Sequence, residues 1–260
     1  MEKMIMTSLA LVAVVSADLS VAGERRHESK DSHATGTTVH WGYTGKIGPE
    51  YWGELDESFA TCSSGRNQSP IDLGNMLEAN LPALNINYTV GGTKVINNGH
   101  AIEIEYAPGS TLAAEGRTYE LKQFHFHAPS ENTIKGESFA MEAHYVHADN
   151  DGNLAVIALM FKAGEENAEL EKAWSYMPEH ADQSYELPDP VNGAILLPQD
   201  HDYYRYNGSL TTPPCTEGVT WIVMKDSQTA SQDQIDRFVH VMHHDNNRPV
   251  QPINARLIIQ

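Results

Sequence analysis

The sequence predicts a mainly β fold, a single domain with a central twisted, mostly antiparallel β-sheet and a few short peripheral helices. Three observations lead there. Stretches that alternate apolar and polar residues recur, as strands do when one face is buried and the other meets water: Ala101 to Tyr106, Tyr119 to His127, Phe139 to His147, Leu154 to Phe161 and Val219 to Met224. Helical periodicity is confined to two places. Beyond a polar N-terminal region lie roughly 220 residues without internal repeat or low-complexity tract, a length that suits one large β architecture.

Taken in chain order, Leu9 to Val15 form a short apolar run after Lys3, and Val15-Ser16-Ala17 offers small residues for cleavage. This reads as a signal peptide over residues 1–17, with cleavage as late as residue 22. The run is too short to span a bilayer. Residues 18–38 are polar and aperiodic and read as a flexible linker, with His27 and His33 solvated. The folded domain then occupies residues 39–260. Export implies a periplasmic or secreted protein with no membrane insertion after signal cleavage.

The stretch from Tyr119 to His127 contains Gln123-Phe124-His125-Phe126-His127. Side chains alternate along a strand, so His125 and His127 share one face while Phe124 and Phe126 take the other, where a core would receive them. In the next stretch Glu142, His144 and Val146 share a face. If the two strands are antiparallel neighbours, three imidazoles converge. Three histidines with an open fourth position form a catalytic zinc site, whereas a structural site usually closes its tetrahedron with cysteines, and this chain has two. Gln123 and Glu142 each stand two residues before a histidine on the same face. Each carries an oxygen able to hold the second imidazole nitrogen, which fixes the tautomer of a ligand. His147 falls on the face opposite His144 and is read as outside the set.

Leu170, Ala173, Trp174 and Met177 follow helical spacing, as do Ile235, Phe238, Val239 and Met242, the second set opening on the capping-box pattern Ser231-Gln232-Asp233-Gln234. A formal net charge of −18 argues against nucleic acid or an anionic membrane as a partner, since there is no basic patch to release counterions. Cys62 and Cys215 are an even pair in a chain that reads as exported, which favours a disulfide over two buried free thiols. Such a bridge would pin the loop Leu210-Thr211-Thr212-Pro213-Pro214 that precedes Cys215.

These residues resemble, in order and from about residue 39 to the C-terminus, the landmarks of an alpha-class carbonic anhydrase of the bacterial, exported type. They are His40-Trp41-Gly42-Tyr43, Gly48-Pro49-Glu50-Tyr51-Trp52, Gln68-Ser69-Pro70-Ile71, Asn97-Asn98-Gly99-His100-Ala101, the Gln-Phe-His-Phe-His strand, Glu142-Ala143-His144, Ser209 to Cys215, and Asn247-Arg248-Pro249.

The resemblance implies Zn2+ bound by His125, His127 and His144, with Gln123, Glu142 and a backbone carbonyl near Asn246 behind them. It implies zinc-bound hydroxide attacking carbon dioxide to give bicarbonate. Thr211 would orient the hydroxide, donating its own proton to Glu131, and its backbone N–H would stabilise the developing charge. Thr212 would line the polar side of the pocket, and Val146, Val156, Leu210, Val219 and Trp221 its apolar wall. His100 would pass the proton to solvent across waters ordered by Tyr43 and Asn98. Glu103 departs from the family, standing where an amide is common, and Asn247 stands where many members have Trp.

Two competing readings are a non-catalytic binding protein on the same scaffold and a zinc hydrolase acting on esters. All three histidines, Thr211 and Glu131 are present, and no Gly-x-Ser-x-Gly motif is visible. No interface signal decides between a monomer and a homodimer.

Overall fold

The computed structural model describes residues 39–260, so the expected signal peptide and linker lie outside the described residues. Eight strands of five or more residues carry the fold: β1 (Gly92–Asn97), β2 (Ile102–Tyr106), β3 (Arg117–His127), β4 (Met141–Ala148), β5 (Leu154–Ala163), β6 (Gln183–Val191), β7 (Tyr203–Ser209) and β8 (Glu217–Met224). They lie in one sheet in the order β6-β1-β2-β3-β4-β5-β8-β7, extended past β7 by Ile258–Ile259 and Met76–Leu77. Every adjacent pair among the eight is antiparallel except β5 and β8, which run parallel. The mainly β, mostly antiparallel expectation holds.

All five alternating stretches form strands, namely β2, β3, β4, β5 and β8. In β3 the alternation changes phase. A bulge between Leu121 and Gln123 shifts its register against β4, as an extra residue in one strand does. Tyr119, Leu121, Phe124 and Phe126 therefore reach the same core, and Gln123, His125 and His127 are left on the other face. Phe124 and Phe126 are fully buried, and each contributes about 1.5–3 kcal/mol on that account.

Strand β5 has apolar packing on both faces. Ile157, Leu159 and Phe161 join a core with Phe124, Phe126 and Tyr145. Val156, Ala158 and Met160 join a second core with Val219, Trp221, Val223, Ile71 and Leu73. The histidines lie on the side of this second core, since His144 pairs across the sheet with Ala158.

Helices α1 (Ala168–Trp174) and α2 (Gln232–Met242) cover the first core, with the Trp174 ring edge-on to Phe126 and stacked on Phe238. The capping box at Ser231 and Gln234 forms as its pattern predicts. Two residues depart from the periodicity. Val239 is exposed and Val241 buried, because the buried face of α2 centres on Phe238 and takes in Gln234, Ile235, Val241 and Met242. Met177 lies past the end of α1, where it packs against the same core from a turn.

Cys62 and Cys215 are bonded across 153 residues. They pack with Trp52, Trp41 and Tyr43. The backbone around the bridge also holds Arg248, which is 1% exposed. Its guanidinium donates to the Cys62 carbonyl (2.8 Å), the Ser69 carbonyl (2.8 Å) and Gln68 Oε1 (2.9 Å), and it lies over the Trp52 ring. Gln68 in turn donates to the Cys215 carbonyl at 3.0 Å. Replacing both cysteines with serine is expected to lower unfolding stability by about 2–5 kcal/mol, read as a lower urea midpoint. An unchanged midpoint would mean that packing alone holds this corner.

Candidate metal centre

In the β3–β4 register His125 stands directly opposite His144, and His127 opposite Glu142. Bulge and register together bring the three imidazoles to one spot, with ring centroids 5.1 Å apart for His125 and His127, 5.4 Å for His125 and His144, and 4.6 Å for His127 and His144. One nitrogen from each lies within 4.8 Å of the others. His127 and His144 are buried, and His125 is partly exposed, so the centre opens on its side.

The remaining nitrogens are held from behind. Gln123 Oε1 lies 2.9 Å from His125 Nδ1, and the Asn246 carbonyl oxygen lies 2.7 Å from His127 Nδ1. Glu142 Oε1 stands 3.0 Å from His144 Nε2, although off the N–H axis, so this contact is electrostatic rather than a well-aligned hydrogen bond. That leaves His125 Nε2, His127 Nε2 and His144 Nδ1 to face one another. His127 Nε2 is buried with no hydrogen-bond partner, an orphan that native interiors seldom tolerate unless something binds there.

Burial pushes all three imidazoles below their usual pKa, aided at His125 and His144 by the neighbouring rings and opposed at His127 by the Asn246 carbonyl. Neutral imidazole is the form that binds a metal. Three nitrogen donors, oriented from behind and open on one side, fit zinc.

Glu142 is fully buried and accepts from the Glu131 N–H (2.7 Å), the Asn132 N–H (2.8 Å) and Asn132 Nδ2 (2.7 Å). Glu131 Oε1 accepts the Arg248 N–H at 2.7 Å, and Oε2 stands 3.5 Å from His127 Nε2. Burial holds Glu131 above the usual carboxylate range, against the Arg248 N–H and the Thr211 hydroxyl, which favour its charged form. Glu131 Oε2 itself is buried without a hydrogen bond of ordinary geometry. Thr211 is buried on the loop after β7, which is closed by the Leu210 N–H to the Thr216 carbonyl (2.9 Å) and the Cys215 N–H to the Thr212 carbonyl (2.8 Å).

The residues expected to form an apolar wall lie in one cluster. Val146 pairs with Val156 and Val156 with Trp221, and Val219 and partly buried Leu210 join the same cluster. The Trp221 edge meets the His144 ring at 4.9 Å. Thr212 is partly exposed. Glu103 pairs across the sheet with His125, and burial followed by the nearby Glu105 raises its pKa.

His100 stacks flat on Trp41, with centroids 3.7 Å apart and planes at 7°. Asn98 Oδ1 accepts the N–H groups of His100 and Ala101 (3.0 and 2.8 Å), so its side chain shapes the turn carrying His100, and its amide reaches Glu103 Oε2 at 3.5 Å. The Tyr43 hydroxyl is buried without a partner, and burial, then Glu131, raises its pKa.

Sequence reasoning gave no role to Arg248, Asn132 or Trp41. Arg248 stood inside a motif singled out on other grounds, but its burial depends on carbonyls at residues 62 and 69, which nothing local to it reveals.

His147 is outside the centre, as its face predicted. It is fully buried between the Tyr88 hydroxyl (2.5 Å from Nε2) and the Ala155 carbonyl (3.1 Å from Nδ1). Burial pulls its pKa from 6.5 down to about 4. Above pH 6.5 both folded and unfolded chains carry it neutral. Between 6.5 and 4 only the unfolded chain takes up the proton, so acidification favours unfolding by about 3 kcal/mol over that window. A His147→Asn chain is expected to show a shallower fall of Tm between pH 6.5 and 4 than the parent. An equal slope would place the acid sensitivity elsewhere.

Comparison with known proteins agrees with this geometry. The family model for eukaryotic-type carbonic anhydrase matches residues 47–260. A carbonic anhydrase of Pectobacterium carotovorum is 48% identical over 222 residues, 85% of this chain and 91% of that protein. Among solved structures, the alpha-carbonic anhydrase of Thermovibrio ammonificans in complex with sulfanilamide superposes with a TM-score of 0.85 at 47% identity, covering 86% of this chain and all of that one. A hyperthermostable carbonic anhydrase from a hydrothermal vent chimney gives 0.83 at 52% identity, covering 85% and 99%. Family match, identity and superposition coincide over the part of the chain that builds the three-histidine centre, and the chain belongs to the alpha-class carbonic anhydrases.

Proposed function

We propose that the chain is a zinc enzyme that interconverts carbon dioxide and bicarbonate, acting in the periplasm or outside the cell after removal of residues 1–17, with 18–38 as linker and 39–260 as the catalytic domain. The reading is carried by one observation above all: three imidazole nitrogens face one another, and His127 Nε2 is buried without a partner. His125 Nε2, His127 Nε2 and His144 Nδ1 would hold the ion. Zinc supplies the Lewis acidity that makes water a nucleophile at neutral pH, a property for which carbonic anhydrases themselves are the reference case.

The protein's own groups do the rest. Gln123, Glu142 and the Asn246 carbonyl hold the ligand rings in the tautomer that leaves the inner nitrogens bare. The Thr211 hydroxyl, oriented by Glu131, aims the attacking oxygen, and the Thr211 N–H receives charge that develops on the substrate. Carbon dioxide is small and apolar, which suits the wall of Val146, Val156, Leu210, Val219 and Trp221 beside polar Thr212. Each hydration releases a proton. His100 accepts it across waters placed by Tyr43 and Asn98, because imidazole exchanges protons readily near neutral pH.

Stopped-flow measurement of carbon dioxide hydration by the zinc-loaded, chelated and zinc-restored chain tests the proposal. Activity that is lost and regained with zinc supports it. A folded, zinc-loaded chain without hydration favours the binding-scaffold alternative.

A further inference from the structure

Further histidines lie near the one that the proposed mechanism uses, since His40 and His244 both act electrostatically on His100. α2 ends at His243, whose φ of 63° lies in the left-handed region and turns the chain back toward the site. His244 follows on this return. Two residues later Asn246 is anchored five ways: its carbonyl meets His127 Nδ1, its side-chain amide donates to the carbonyls of His100 (3.0 Å) and Phe126 (2.9 Å), its Oδ1 accepts the Ala128 N–H (2.9 Å), and its N–H donates to the Ala128 carbonyl (3.3 Å). His244 therefore rides on a segment fixed to the centre at its far end and to α2 at its near end.

The His244 ring meets Tyr43 at 5.9 Å between centroids, and Tyr43 meets Trp41, on which His100 stacks, at 5.7 Å. Tyr43 thus stands between two histidines with its hydroxyl unpartnered and within electrostatic reach of Glu131. His244 Nδ1 lies 3.0 Å from the Asp245 carbonyl oxygen. A carbonyl only accepts, so this contact keeps the hydrogen on Nδ1 and leaves the Nε2 lone pair open to receive a proton.

We propose that His244 is a second proton-transfer residue, working beside His100 on the other side of Tyr43. The inference rests on the carbonic anhydrase reading. In the turnovers that His244 rather than His100 serves, the proton leaves water at the centre, passes along waters beside Tyr43 to His244 Nε2 to form an imidazolium, and is released to a buffer base, restoring the neutral ring.

The charged and titratable groups around the pair are His40, His100 and Tyr43 on the N-terminal and turn segments, Asp182 near His100, Asp245 on the same segment, and His240 with His243 at the end of α2, their rings 6.1 Å apart. Burial lowers the His100 pKa, and His40 and His244 lower it further. The competing role for a histidine just past a helix end is favourable interaction with the helix dipole, which affects stability alone.

The test uses the zinc-loaded chain and compares the parent, His100→Ala, His244→Ala and the double variant in dilute buffer, with kcat and kcat/KM for hydration measured across pH. Proton transfer limits kcat, whereas attack on carbon dioxide limits kcat/KM. Adding the His244→Ala change to His100→Ala is expected to lower kcat by a further factor of about 10, with kcat/KM within about twofold and kcat restored by added imidazole. A double variant with the kcat of His100→Ala, or a parallel fall in kcat/KM without imidazole rescue, overturns the proposal. Absence of hydration by the zinc-loaded parent would instead remove the reading on which it stands.

Discussion

Replacing His144 with alanine is expected to abolish zinc retention and hydration together. His144 supplies one of three inward nitrogens and is the one backed by a carboxylate, with Glu142 Oε1 3.0 Å from its other nitrogen. Loss of an outer partner of a metal ligand ordinarily costs about 10–100-fold in affinity or activity, and loss of the ligand itself should exceed that range. The fold should survive, because Glu142 keeps its three donors from Glu131 and Asn132, so no carboxylate is orphaned. Competition with a metal chelator reads affinity, stopped-flow reads activity, and circular dichroism checks the fold. Full zinc occupancy with activity intact would show that His144 is not a ligand.

The second large effect is expected at Thr211, and there metal and chemistry should separate. Thr211 makes no hydrogen bond to His125, His127 or His144, so Thr211→Ala is expected to keep the metal affinity of the parent. Removing its hydroxyl takes from Glu131 a side chain that favours its charged form and, on the proposed mechanism, would leave the attacking oxygen unaimed. Groups that position charge in a transition state are worth about 10²–10³ in rate, so kcat/KM should fall by that factor. Thr211→Ser keeps the hydroxyl and should recover most of it. A Thr211→Ala enzyme within a few-fold of the parent would break the assignment of this loop.

Much of the centre was legible because strands write their faces into sequence. His125, His127 and His144, with Gln123 and Glu142 two residues before, needed only a period of two and one guess of antiparallel pairing, and the β3–β4 register supplies that pairing. Strand β6 was not legible. It lies at a sheet edge, contains Pro188 and Pro190, and is mostly exposed, so neither alternation nor apolar content marks it. Nor was β7, where Arg205 is buried because Glu115 takes its guanidinium in two hydrogen bonds of 2.6 and 3.0 Å from ninety residues away. The bulge in β3 was hidden for a related reason, since Lys122 looks like any exposed residue and the shift is visible only against β4. Arg248 and Asn132 share the difficulty: both are hubs of long-range hydrogen bonds, and a polar residue does not announce its burial. Val239 shows the limit of helical spacing, which admits two neighbouring apolar faces on α2 until Phe238 and Val241 meet the core.

X-ray absorption at the zinc edge on the zinc-loaded mature chain tests the central claim most directly. One ion per chain is expected, with three imidazole nitrogens and one further light atom at about 2.0–2.1 Å, the open set of a catalytic site, and no protein-bound zinc signal in His144→Ala. A zinc ion closed by four protein ligands, or one whose spectrum is unchanged in that variant, would contradict it.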